Sequence, residues 1–291
     1  MHSFGAGAVR PGCYTPGVWP PTRHRNREGG AGLPSGSGTD FPVTRQALDS
    51  LHGWVQELAA PVLPAKRVPT RKGFVWRFTE ETPLALMVAK AVRIASGLRA
   101  AMLLADIGFI TESACLLRIG GDLAVEIVAI GEGELRGEKT SAQQEFVTQF
   151  FSRLTMGDVL ESGPQKKAFV KRDELLAAHT RLAEAAGQDE EEIRELIRQM
   201  TWGYDGYVHG SYSSAMELYH GGHSEFMLQG HEDEGRRRVH RAAVSSKVVE
   251  ALNAFRMVAI VERNERLSRE LGAAAARLMS SRESVLGADP S

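Results

Sequence analysis

The stretch Glu112-Ser-Ala-Cys115-Leu-Leu-Arg118-Ile-Gly-Gly-Asp122-Leu-Ala-Val-Glu126-Ile-Val-Ala-Ile130 decides the fold. Arg118, Asp122 and Glu126 stand at i, i+4 and i+8 in an otherwise apolar run. On a helix they share one stripe, about 80° wide, with Cys115 and Ala129. Leu116, Leu117, Ile119, Leu123, Val125, Ile127, Val128 and Ile130 fill the rest of the wheel. A helix apolar over so much of its circumference is buried on most sides. Its three charges then form an ion-pair ladder along a solvated edge, or face an interior cleft where other polar groups must meet them.

Outward from this helix the pattern stays helical. Leu48, Leu51, Val55 and Leu58 recur at helical spacing from Thr44 onward. Pro61, Pro64 and Pro69 predict an irregular linker. Gly73 to Phe78 is a short strand-like piece that alone makes no sheet. Thr82-Pro83 is an N-cap with proline at the first helical position, opening a helix to about Asp106. Ser141 and Gln144 form a capping box for a helix through Leu154. Residues 157–167 read as a loop, and Val170 to Ala186 as a helix stopped by Gly187. Asp189 to Glu192 places acids at the next helix N-terminus. That helix is read as continuing into a tyrosine-rich segment. Gly221 to Asp233 reads as a loop, and Arg236 to Met279 as one long last helix. The fold class is all-α, a bundle of about six to eight helices with a long C-terminal helix. Residues 1–40 are rich in Gly, Pro, Ser and Arg and are expected to be a disordered tail, or to follow from a start codon set too far upstream. Residues 41–282 form one helical domain and residues 283–291 a frayed tail in this reading.

Composition narrows the function. Hydrophobic residues are 43% and charged residues 24%, ordinary for a globular protein. A net charge of −1 excludes a global basic field. Cys13 and Cys115 are the only cysteines and no CxxC occurs, so a reducing cytoplasm is expected. No apolar run is long enough for a membrane span, and no secretion signal opens the chain. P-loop, Rossmann and Gly-x-Ser-x-Gly signatures are missing, and no cofactor is expected.

Four of the five tyrosines fall between Tyr204 and Tyr219. Read as one helix, Gly203, Gly206, Gly210 and Ser213 make a small side. Tyr204, Asp205, His209, Tyr212, Met216 and Tyr219 make a polar one. Asp205 stands four residues before His209, so its carboxylate can fix the imidazole. Arg118, Glu126 and His209 are expected to converge, with Tyr204 and Tyr212 donating to Glu126 and with Asp122 and Asp205 lining the pocket. The competing structural reading is a tight helix crossing anchored by tyrosines. His220-Gly-Gly-His223 could chelate a metal with a carboxylate, but its glycines leave it loose and HExxH logic is missing. Arg236-Arg-Arg-Val-His240-Arg241 follows Glu232, Asp233 and Glu234 and has no interleaved aromatics, so it reads as solvated charge.

Arg118 with Glu126 in an apolar helix, then Tyr204 separated by four residues from His209-Gly-Ser, resembles uncharacterised bacterial all-helical families. These resemble HEPN-type helical bundles, which include ribonuclease toxins and nucleotide-binding domains. The similarity spans about residues 80–262. HEPN ribonucleases carry Arg-x(4–6)-His; Arg45 with His52 and Arg172 with His179 fit that spacing, whereas His209 has no such arginine. Two such matches are no more than chance gives in a chain with this much arginine. Three functional expectations follow. The first is an interaction or regulatory bundle with a polar pocket near Arg118, Glu126, Tyr204 and His209. The second is an RNA- or nucleotide-processing enzyme, implied by the resemblance, with His209 as general acid/base and Arg118 stabilising phosphate charge. The third is a metal-dependent hydrolase using His220 and His223. Expected partners are RNA, a nucleotide or a protein, with no membrane; a homodimer is one candidate assembly.

Overall fold

The computed structural model describes residues 41–62, 64–70, 73–152, 204–220 and 225–286, with scattered positions between 177 and 198. The expected N-terminal tail, the 157–167 loop and most of the 170–186 helix lie outside these residues.

Helices dominate what is described. They are α1 (Pro42–Ala59), α2 (Pro83–Asp106), α3 (Ile110–Arg136), α4 (Ser141–Ser152), the short α5 (Tyr212–Met216), α6 (Glu234–Val261) and α7 (Glu265–Leu286). The all-α bundle expected from the apolar periodicity is what forms. Helix α6 packs on α7, α3, α2 and α1, and α2 packs along α3. The core sits among them, with Leu51, Leu58, Leu86, Ile94, Leu117, Ile127, Leu252, Phe255 and Leu267 almost fully buried. No helix among the described residues is long and apolar enough to cross a membrane.

Local chemistry sets the helix ends. Thr82 accepts from the Ala85 amide at 3.1 Å, with Pro83 at the first turn as read from sequence. The capping box of α4 sits one residue earlier than expected. The Gln143 amide donates to Thr140 Oγ1 at 3.1 Å, and Gln143 Oε1 accepts from the Thr140 amide at 2.9 Å. Helix α2 ends at Gly108, whose φ of 86° and close approach to the His231 backbone both require glycine. The His231 amide donates to the Gly108 carbonyl at 2.7 Å, which seats the loop before α6 on the α2–α3 turn.

The expected single helix from Arg236 to Met279 is two helices. At its break Arg263 takes φ 64° and donates to the Ile260 carbonyl, while the Asn264 amide donates to that of Ala259. That is the paired bonding of a left-handed helix stop, followed at once by Asn264 capping the Leu267 amide at 3.1 Å. The linker reading of residues 61–69 is also corrected. β1 (Lys66–Thr70) and β2 (Gly73–Arg77) pair as an antiparallel hairpin. Pro69 is tolerated because a two-stranded ribbon consists of edge strands, where a missing N–H need not break a ladder. A second short pairing joins β3 (Tyr219–His220), at the end of the segment read as a tyrosine helix, to β4 (Glu225–Phe226), inside the stretch read as a loop.

Candidate functional site

The fold-deciding helix does meet the tyrosine segment, but not through His209. Residues 204–208 are helical and stop at Gly210, whose φ is 62°. The Ser211 amide donates to the Gly206 carbonyl at 2.8 Å, closing this helix before α5 begins. The break overturns the continuous wheel drawn through 202–219. It leaves the His209 side chain exposed and Tyr212 82% exposed. Asp205 does not orient His209; it accepts from Arg118 Nε at 2.7 Å. Arg118 also pairs with Asp122 along α3. Glu126 takes no tyrosine hydroxyl. Its partner is Lys90 of α2, whose ammonium also lies 5.1 and 5.2 Å from the rings of Phe146 and Phe150.

Tyr204 packs on the core with Lys247 Nζ 5.4 Å from its ring, and burial beside Glu250 raises its hydroxyl pKa. Arg118, Asp122, Asp205 and Tyr204 thus tie the tyrosine segment to the bundle. His223, Arg172 and His179 lie outside the described residues, as does the side chain of His220. Among the described residues no group of three or more His, Cys, Asp and Glu could hold a metal. Arg45 makes a two-pronged ion pair with Asp106 at 2.8 and 2.9 Å, while His52 is exposed.

The polar groups that do converge around a cavity are others. An open cleft of about 670 Å³ lies over the start of α6, lined among others by Ile110, Tyr207, Glu217, Arg236, Val239 and His240. Tyr207 Oη donates to the Glu217 carboxylate at 2.7 Å and lies 2.9 Å from its second oxygen. The Tyr207 and His240 rings meet edge to face, 6.2 Å between centroids. His240 Nε2 stands 3.9 Å from Glu217 Oε2, and its buried Nδ1 has no hydrogen-bond partner. Arg236 donates to the Glu217 carbonyl at 2.9 Å, holding the end of α5 against α6. Burial, then the Glu217 carboxylate, push the Tyr207 hydroxyl well above its ordinary pKa, so it stays a proton donor.

In the sequence His240 reads as part of a solvated basic run. Buried Val244, Val248, Ala251, Phe255 and Val258 mark the inward stripe of α6. Extending that stripe backward by threes and fours reaches Arg241 and Arg237, with His240 beside it. That periodicity was the signal for an inward-facing histidine.

Burial holds the His240 imidazole below its ordinary pKa of 6.5, against the weaker pull of Glu217 and with help from His231 and Arg236. The unfolded chain therefore takes up this proton at a higher pH than the native one. The resulting stability is present above the unfolded value and is lost as the pH falls through the native value. Lowering the pH from about 7.5 to about 5.5 is expected to reduce Tm more in the wild type than in His240→Phe. Parallel thermal melts across that range check it; coincident slopes would mean that His240 is equally titratable in both states.

No family model matches the chain, and the comparisons found no curated protein and no solved structure with significant similarity to it.

Proposed function

We propose that the protein is a cytoplasmic interaction module whose cleft over the start of α6 takes a small polar ligand. The observation that carries this reading is His240, a cleft-lining residue whose imidazole meets the Tyr207 ring and stands near the Glu217 carboxylate. Tyr207 and Glu217 present a fixed donor–acceptor pair beside it, and Ile110, Met216 and Val239 supply apolar wall. Arg236 is half exposed and keeps guanidinium donors for an acceptor on the ligand. Occupancy would strengthen the joint between the tyrosine segment and α6, the arrangement expected of a regulatory module. Cys115, a free half-buried thiol, suits a reducing compartment.

A thermal-shift screen of a metabolite library tests this against wild type, His240→Phe and Glu217→Gln. A ligand at 100 times its Kd stabilises by about 2.7 kcal/mol, and both variants should lose that shift while keeping their own unliganded folds. A hit that shifts all three proteins equally places binding elsewhere. The second reading, an RNA- or nucleotide-processing enzyme of HEPN kind, is favoured by one observation: a histidine with lowered pKa and an arginine line the same open cleft. Its chemistry would run through His240 and Arg236, since Asp205 and Asp122 occupy Arg118. RNA cleavage by the purified protein that His240→Ala abolishes would replace the first reading with this one.

A further inference from the structure

The β1–β2 hairpin carries an unpartnered aromatic and basic face. Arg67 lies opposite Trp76, and Pro69 opposite Phe74, so these four side chains share one side of the ribbon. All four are exposed, Phe74 at 46% and Trp76 at 63%. The other side faces the bundle: Val68 and Val75 are half-buried, and Arg77 donates to the Phe151 carbonyl at 3.1 Å. The outward face is already organised. The Arg67 guanidinium carbon sits 3.8 Å from the centre of the Phe74 ring, and Phe74 and Trp76 meet edge to face at 5.8 Å. From Pro64 to Phe78 the sequence holds Lys66, Arg67, Arg71, Lys72 and Arg77 and no acid. In a chain of net charge −1 this is a strong local excess of positive charge.

Two exposed aromatic rings are costly to leave in water unless they serve a contact. We infer that this hairpin face binds single-stranded nucleic acid, with bases stacked on Phe74 and Trp76 and a phosphate paired to Arg67. Stacking on an aromatic side chain is tolerant of sequence because every base has a π-face, and nearby cations track the backbone. Charge complementarity selects a polyanion. The disposition of the aromatics argues against a lipid surface: Arg67 stands among them on the same face, and carrying its guanidinium into hydrocarbon is costly. Base stacking and phosphate pairing use neither a base edge nor the 2′-hydroxyl, so DNA and RNA single strands are expected to bind alike.

Fluorescence anisotropy of labelled 15-nucleotide oligo-dT and oligo-U with the full chain tests the inference at low and moderate salt. Trp76→Ala and Phe74→Ala are each expected to weaken binding about 5- to 150-fold, the range for one lost stacking partner. Arg67→Ala should weaken it and flatten the salt dependence, by about 0.7 in the log–log slope. Binding should also quench tryptophan emission in the wild type and not in Trp76→Phe. Because both aromatics are exposed, the variants should melt with the wild type, which separates lost binding from lost fold. The inference is overturned if Trp76→Ala binds both oligonucleotides as tightly as wild type. It is overturned equally if neither oligonucleotide binds while vesicles of anionic lipid shift Trp76 emission to the blue, which would make the face a membrane contact.

Discussion

Phe255→Ala is expected to destabilise the protein by about 3–5 kcal/mol, a large part of the stability a domain commonly has. Phe255 is completely buried in the C-terminal half of α6, the helix that touches α1, α2, α3 and α7. Its surroundings explain why the loss should fall at the upper end. Much of the core is alanine: Ala91, Ala95, Ala101, Ala124, Ala251, Ala254 and Ala259 are all buried. Small residues let helices approach closely and leave the filling of space to a few large side chains. Backbones already close together cannot collapse further into a vacated site, so the cavity persists and its cost is felt in full. Urea unfolding should show a lower midpoint with an unchanged slope, the sign of lost stability rather than an altered unfolded state. Leu123→Ala makes the control. Leu123 is only half-buried, so its substitution should cost clearly less. Equal losses at the two sites would mean that the core is not concentrated around α6.

Helix positions were legible because each rests on local chemistry. Thr82-Pro83 opens α2 where read, and the apolar run from Glu112 falls within α3. What the sequence concealed were decisions made by long-range contacts. Arg263 takes a left-handed conformation that usually falls to glycine, so the boundary between α6 and α7 carried no glycine to mark it. The hairpin was hidden because Pro69 argues against a strand unless that strand is an edge. At the site, Gly210 was visible as a helix weakener, but its stop separates Asp205, which meets the bundle, from His209, which does not. Arg118 to Asp205 spans 87 positions of chain, and no periodicity within either helix specifies that partner. The cleft combines Tyr207, Glu217 and His240 from three separate segments, so its signals, the tyrosine crowding and the buried stripe of α6, lie apart in the sequence.

The pairing of Lys90 with Glu126 carries the other large expected effect. Lys90 is 6% exposed on α2, and its ammonium is held between the Glu126 carboxylate and the Phe146 and Phe150 rings of α4. Removing the acid alone, as in Glu126→Leu, strands a buried cation and is expected to cost about 3–5 kcal/mol. The aromatic faces offset only part of that, since a cation over a ring gains about 0.5–2 kcal/mol. Replacing both partners, with Lys90→Met and Glu126→Leu together, removes the charge along with its counter-charge. Methionine follows the lysine stem in length and shape and keeps its contact with the two rings. The double variant should therefore recover most of the loss, even though it lacks the ion pair. A double-mutant cycle in urea measures this directly, because residues in contact show a coupling free energy that distant ones do not. Additive losses would mean that Lys90 reaches water when Glu126 is gone, through the 22% of the Glu126 side chain that is exposed. Coupling with recovery would mean that α2 and α3 are fastened by a charge pair whose value lies in fixing their register, since an apolar pair there would hold them about as firmly.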